Sequence, residues 1–199
     1  MPHRDDDDLR ATQFATLLAA AQSGVEWGST TLWVEYSPAI TAFLRARGSR
    51  EPEDLSSEVF LAVFDRLPQF VGDEMQFRSF VFSVAYRRLV DEFRRHARRG
   101  ESAEWTADGD SRSSPSAEED VIDRLGENTT LSLLNALPDD QRDVMVLRII
   151  ADLTVDQIGK VIGKRPGAVK ALQRRALERL RKKVSPARTP NQPSNDGVE

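Results

Sequence analysis

The chain has 199 residues, a formal net charge of -4, two histidines (His3 and His96) and no cysteine, which fits one or two small domains. Without cysteine, disulfides and thiolate metal sites are excluded, and two histidines are too few for a histidine-rich catalytic or metal centre. No apolar run approaches the ~18 residues that span a bilayer, and no signal-peptide pattern opens the chain. A soluble cytoplasmic protein with no membrane partner is therefore expected. Charge is segregated along the sequence. Acidic residues gather at Asp5–Asp8 and between Glu101 and Glu127, basic ones between Arg87 and Arg99 and between Lys160 and Lys183. This predicts separate cationic surfaces on an anionic background.

Met1–Asp8 is polar and is expected to be a disordered acidic N-terminus. From Leu9, the residues Phe14, Leu17, Leu18 and Ala21 recur at helical spacing until Ser23-Gly24 stops the pattern. A second series holds Trp33, Tyr36, Ile40, Phe43 and Leu44. Pro38 inside it predicts a kink or restart, and Gly48 ends it. Pro52 to Leu67 reads as a helix burying Leu55, Val59, Ala62, Val63 and Leu67. Asp54, Ser57 and Glu58 occupy a different face of it. The helix dipole accounts for Glu53 and Asp54 near the N-terminus, and less well for Glu58, which lies beyond the first turn.

Pro68 closes this helix, and Val71, Gly72, Asp73, Glu74, Met75 and Gln76 are expected to form a short loop. Phe77 to Arg99 then predicts one long helix with Phe80, Val84, Leu89 and Val90 inward. Its C-terminal half carries Arg87, Arg88, Arg94, Arg95, Arg98 and Arg99. Six arginines in thirteen positions exceed what a C-terminal cap needs and suit a surface that tracks phosphates.

Residues 100–128 are rich in Ser, Asp, Glu and Gly and read as a flexible acidic linker. Thr130 opens a pattern of Leu131, Leu133, Leu134 and Leu137, which Pro138 breaks. Asp139 to Ile150 follows, with Val144, Met145, Leu147 and Ile149 as core. Thr154 and Gln157 make a capping-box pair, so a helix starts there with Val155, Ile158 and Ile162 on one stripe. Gly163 permits the turn, and Pro166 suits the first position of the next helix. On that helix Val169, Leu172, Ala176 and Leu180 line one face, while Lys170, Arg174 and Arg181 lie on another. Two short helices with one apolar and one cationic face form the pattern of a DNA-binding helix-turn-helix. From residue 185 the chain reads as a disordered tail. No segment shows sustained strand alternation. The expected fold is all-α: one helical domain over 9–99, the linker over 100–128, and a second helical domain over 129–184.

Three stretches in this order resemble the bacterial RNA polymerase sigma factors of the extracytoplasmic-function (ECF) type. Glu53–Phe60 is similar to the family's core-polymerase-binding helix, Phe77–Asp91 to its −10-reading segment, and Leu137–Arg181 to its −35-reading domain. The two expected domains that hold them, 9–99 and 129–184, make up about three quarters of the chain, and only the middle linker and the tails fall outside the resemblance. The resemblance implies a region-2-like bundle and a region-4-like helix-turn-helix, acting without catalysis, cofactor or metal. It implies that Asp54, Ser57 and Glu58 face the clamp helices of the polymerase β′ subunit, with Ser57 where the family usually has Gln. The loop from Val71 through Gln76 would hold a base flipped from the melted promoter. Phe80, Arg87, Arg88, Arg94 and Arg95 would meet the −10 region, with Phe80 and Arg87 standing where many members carry Trp and Asn. Arg165, Lys170, Ala171, Arg174 and Arg175 would meet the −35 element, with Arg165 in the place of a capping Ser. Core RNA polymerase (β′ clamp helices and β flap), promoter DNA and an anti-sigma protein are the implied partners. The linker carboxylates Asp108, Asp110, Glu118, Glu119 and Asp120 suit either an RNA-like strand in the polymerase or a soluble tether, and Trp105 suits an anchor.

Two other classes compete on the residues. A stand-alone helix-turn-helix regulator explains the C-terminal half but gives no reason for a second cationic helix beside the Asp54/Glu58 face. A metal-carboxylate enzyme built on Asp54, Glu58, Asp91 and Glu92 lacks the Glu-x-x-His pairs that such bundles use.

Overall fold

The computed structural model describes residues 3–98 and 130–184, with side chains from Asp8 onward. Arg99, the acidic segment with Trp105 and its carboxylates, and the tail from residue 185 lie outside the described residues. Every regular element among the described residues is helical.

The first group contains α1 (His3–Gln22), α2 (Glu26–Ala46), α3 (Pro52–Arg66) and α4 (Glu74–Arg98). A single 3-10 turn, Leu67–Gln69, follows α3. The α1 helix begins at His3, so Asp5–Asp8 belong to it and not to a disordered leader. The α2 helix runs through Pro38 without a restart.

The core of this group is aromatic. Phe77 is fully buried, with the rings of Phe14, Tyr36 and Phe70 at 5.6, 5.2 and 5.4 Å. Phe43 meets Phe82 edge-on at 5.6 Å. Trp33, expected in the core, is a third exposed, yet it rests on Phe60 at 4.7 Å. On α4 the structure buries Val81, Phe82 and Ala85 as well as Val84 and Leu89, while Phe80 and Val90 are half-buried.

The second group contains the helical residues 130–135, then α5 (Asp139–Ile149), α6 (Val155–Ile162) and α7 (Pro166–Val184). Arg142 closes the first of these turns by donating to the carbonyls of Leu134, Asn135 and Leu137. A helix end leaves its last carbonyls short of intrahelical partners, and of these three only the Leu134 carbonyl is seen to accept from a backbone N–H as well, that of Leu137. Val144, Met145 and Leu147 are buried as expected, but Ile149 is more than half exposed, and Val146 takes its place in the core. Asp152 has a left-handed φ of 49° between α5 and α6, a conformation Asp tolerates better than most residues.

The two groups pack against each other. The α6 helix lies along α4, and α5 touches α2. Arg47, just past α2, is buried, with Nε 2.5 Å from Asp143 Oδ1 on α5. This is a charge contact and not an aligned hydrogen bond. The Tyr86 hydroxyl of α4 donates to Asp143 Oδ2 at 3.0 Å. No helix among the described residues is long and apolar enough to cross a membrane.

Candidate nucleic-acid interface

Four surfaces expected from sequence can be placed. The first is on α3. Pro52 stands in its first turn, where a missing N–H costs nothing, and Glu53 and Asp54 follow it. Leu55, Val59 and Phe60 turn inward, which leaves Asp54 and Ser57 exposed and Glu58 half-buried. The Ser57 hydroxyl donates back to the Glu53 carbonyl at 3.1 Å, so it is already engaged within its own helix. Glu58 Oε2 lies 3.8 Å from Arg88 Nη1 of α4. The acidic face of α3 thus borders the arginine face of α4.

That arginine face is real and one-sided. At ~100° per residue, Phe80, Arg87, Arg88, Arg94, Arg95 and Arg98 fall within an arc of roughly 120°. Leu89 and Glu92 lie off it and are buried. Arg87, Arg94, Arg95 and Arg98 are exposed and Arg88 is half-buried. Arg94 is 3.8 Å from Asp91, a pairing too exposed to neutralise the face. Phe80 is half-buried and stacks on Phe70 at 5.3 Å, which places an aromatic edge next to the loop.

The loop is shorter than expected. Only Val71, Gly72 and Asp73 are non-helical, because α4 begins at Glu74 and takes in Met75 and Gln76. The cause is a capping box that the sequence reading missed. The Gln76 N–H donates to Asp73 Oδ1 at 2.8 Å, and the Asp73 N–H donates to Gln76 Oε1 at 2.9 Å. Asp-Glu-Met-Gln was the available signal. Below the loop, Gln22 of α1 donates to the carbonyls of Leu67 and Phe70 at 3.0 and 2.7 Å. The loop is held at both ends while Val71 stands 92% exposed at its tip.

The fourth surface is on α6 and α7. Thr154 and Gln157 exchange both bonds of the expected capping box, and Gly163 adopts φ 68° at the end of α6. Gly159 was not anticipated. A Cβ there would lie 2.6 Å from the Lys164 carbonyl, so the tight turn into α7 requires glycine at this position. The Arg165 carbonyl accepts from the Ala168 and Val169 N–H groups, which makes Arg165 the cap residue of α7, with Pro166 following. Its side chain is exposed and basic. Val169 and Ala176 are buried, and Lys170, Arg174 and Arg175 lie on the opposite, exposed side with half-buried Ala171 among them. A small residue beside arginines permits close approach to a duplex whose base edges suit guanidinium forks.

Two further matters were invisible in the sequence. Asp143 is 6% exposed, and burial pushes its carboxyl up, with Arg47 and Tyr86 only partly pulling it back. Tyr86 is itself pushed up to about 12, first by burial and then by Asp143, so its hydroxyl stays a donor. In addition, Gln157 of α6 donates its side-chain amide to the Met75 carbonyl at 3.0 Å, beside the loop.

Comparison with known proteins decides what these surfaces belong to. Residues 32–99 match the sigma-70 region 2 model and residues 133–182 the sigma-70 region 4 model. The ECF RNA polymerase sigma factor ShbA of Streptomyces griseus is 32% identical over 195 residues, covering 89% of this chain and 97% of that protein. The chain belongs to the ECF RNA polymerase sigma factors. SigD of Mycobacterium tuberculosis, another ECF sigma factor, is 30% identical over 159 residues, covering 74% of this chain and 72% of that one. Among solved structures, CnrH in complex with the cytosolic domain of CnrY has a TM-score of 0.61 at 21% identity, with 85% of this chain and 96% of that chain covered. RpoE of Bartonella quintana, solved with the anti-sigma factor NepR, has a TM-score of 0.61 at 20% identity, covering 79% and 98%. These two share the fold. As a sigma factor the chain is a transcription-initiation subunit and not an enzyme, and the stand-alone regulator is set aside.

Proposed function

We propose that this sigma factor docks on core RNA polymerase through the Asp54/Ser57/Glu58 face of α3 and directs initiation at promoters read by two cationic surfaces. The α7 face with Arg165, Lys170, Ala171, Arg174 and Arg175 takes the −35 element. The α4 arginines and Phe80, together with the loop from Val71 and the first turn of α4, take the −10 element. The supporting observation is that these cationic faces are exposed on two separate helical groups, one of them bordering an acidic face.

Melting follows from the loop. Unstacking a base costs a few kcal/mol, so a site that captures the extruded base favours the open duplex. The Asp73–Gln76 box and the Gln22 bonds preorganise the loop for that capture. An anti-sigma protein that covers the polymerase-binding surfaces is the further partner supported by family membership.

The test is transcription from fragmented genomic DNA with purified chain and core polymerase. Discrete start sites are expected with the chain and not without it. Glu58→Lys should lose retention on core polymerase in a pull-down while its helix content stays unchanged. Equal retention of wild type and variant would remove α3 from the interface.

A further inference from the structure

Where the acidic face of α3 meets α4, a cavity of about 240 Å³ opens between the two helices. Its polar lining is Glu51, Asp54 and Glu58 on one side and Glu92, Arg95 and His96 on the other. Glu51, Asp54 and Arg95 are exposed, Glu58 and His96 are half-buried, and Glu92 is 6% exposed. Glu92 therefore forms the floor. Its Oε1 accepts from the Ser49 hydroxyl and the Arg50 N–H, each at 3.2 Å, and His96 Nε2 lies 4.0 Å away. Its Oε2 has no hydrogen-bond partner. A hydroxyl and an amide orient this carboxylate without neutralising it, and a buried carboxylate oxygen left unmatched is costly.

The surroundings select what could match it. Four carboxylates in the lining face one guanidinium, that of Arg95, while Arg88 reaches Glu58 at 3.8 Å from outside the lining. Such a cavity favours a cation. Among the described residues, no group of three or more carboxylates and imidazoles is placed to hold a metal ion. A guanidinium or ammonium suits the site better, because its several N–H donors reach oxygens lying in different directions.

We propose that this cavity receives one arginine or lysine side chain presented by the polymerase surface that docks on α3, with Glu92 as its buried partner and Asp54 and Glu58 at the mouth. The inference rests on the assignment of Asp54, Ser57 and Glu58 to that docking face. Two of those three residues line the cavity, so a surface that covers the face also covers the mouth. A diffusible polyamine gives up hydration and freedom for this contact alone, whereas a side chain on a docked surface is delivered by an interface already formed. Water leaves the mouth as the surfaces meet, which strengthens the pairing with Glu92. The charges divide the work. The rim carboxylates steer the encounter, and the buried pair governs how slowly the complex comes apart.

Glu92→Gln separates charge from shape. Its amide oxygen can still accept from Ser49 and Arg50, so a purely structural role predicts no change. In stopped-flow binding of the fluorescently labelled full chain to purified core polymerase, Glu92→Gln should dissociate faster by roughly tenfold, with association rate and thermal midpoint unchanged. Ser57→Arg alters the docking face outside the cavity lining and should lose binding. If Glu92→Gln fails to fold, Glu51→Lys at the exposed rim carries the test, because a cation fixed at the mouth should weaken binding by roughly tenfold. Spermidine probes the other source of the same chemistry. Only His3 and His96 exist in the chain, so the ring resonances of His96 report on the cavity and those of His3 serve as control. Sub-millimolar spermidine should leave both unmoved in the free chain. Wild-type dissociation by folded Glu92→Gln, with Ser57→Arg unable to bind, overturns the cavity and keeps the docking face. If spermidine then also moves His96, the cavity serves a diffusible cation and not the polymerase. Faster dissociation by Glu92→Gln with wild-type binding by Ser57→Arg keeps the cavity and overturns the docking face as drawn. Wild-type behaviour by both variants overturns both.

Discussion

Arg174 projects from the exposed arc of α7 with Glu178 3.7 Å away on the same helix. Such an exposed pair contributes at most about 1 kcal/mol and yields readily to a base edge or a phosphate. Arg174→Ala should weaken binding to a cognate promoter fragment by about 1–3 kcal/mol if the fork meets a base, measured by titration of labelled duplex. A loss equal across unrelated duplexes would assign it to phosphate. At this scale the sequence was informative wherever a side chain's role depends on its own helix face, as for Lys170, Arg174, Arg175 and the α4 arginines, whose exposure follows from periodicity. It was silent on Asp143 and Arg47, whose burial depends on residues nearly a hundred positions away.

Thr154 and Gln157 show how far local chemistry alone reaches. The box was readable because its partners are three residues apart and the geometry follows from residue type. Thr154→Ala should cost about 1 kcal/mol, seen as a lower thermal midpoint with unchanged cooperativity. Gly159→Ala should cost more than the loss of a helical glycine returns, about 1–3 kcal/mol, because the added carbon meets a backbone carbonyl and not a movable side chain. The start of α4 is equally legible from Asp73 and Gln76, whose spacing of three residues is that of the same reciprocal box. Pro38 is different in kind. A proline inside a helix costs about 3 kcal/mol. Leu32, Tyr36, Ile40 and Phe43, nearly or fully buried on both sides of it, contribute about 1.5–3 kcal/mol each and outweigh that cost. Propensity favoured a break, and the tertiary core decided for continuity.

For the whole molecule, helical class and the order of the two groups were legible, because apolar spacing and glycine or proline punctuation recur in every segment. That the groups pack on one another was not, since nothing local marks a charged residue as an interface residue. The adjoining faces of α3 and α4 carry one more implication. Glu58 and Arg88 face each other at 3.8 Å, each nearly half exposed. A polymerase that takes the carboxylate, as proposed, leaves the guanidinium unneutralised, so assembly adds one positive charge to the side proposed to meet DNA. Counter-ion displacement then differs between the free and assembled protein. The logarithm of promoter affinity against that of salt should fall more steeply for the holoenzyme than for its Arg88→Gln form, by a slope of about 0.9. The isolated chain should show almost no such difference. Enlisting the enzyme would therefore prime the grip on DNA, giving the order of events a simple ionic basis.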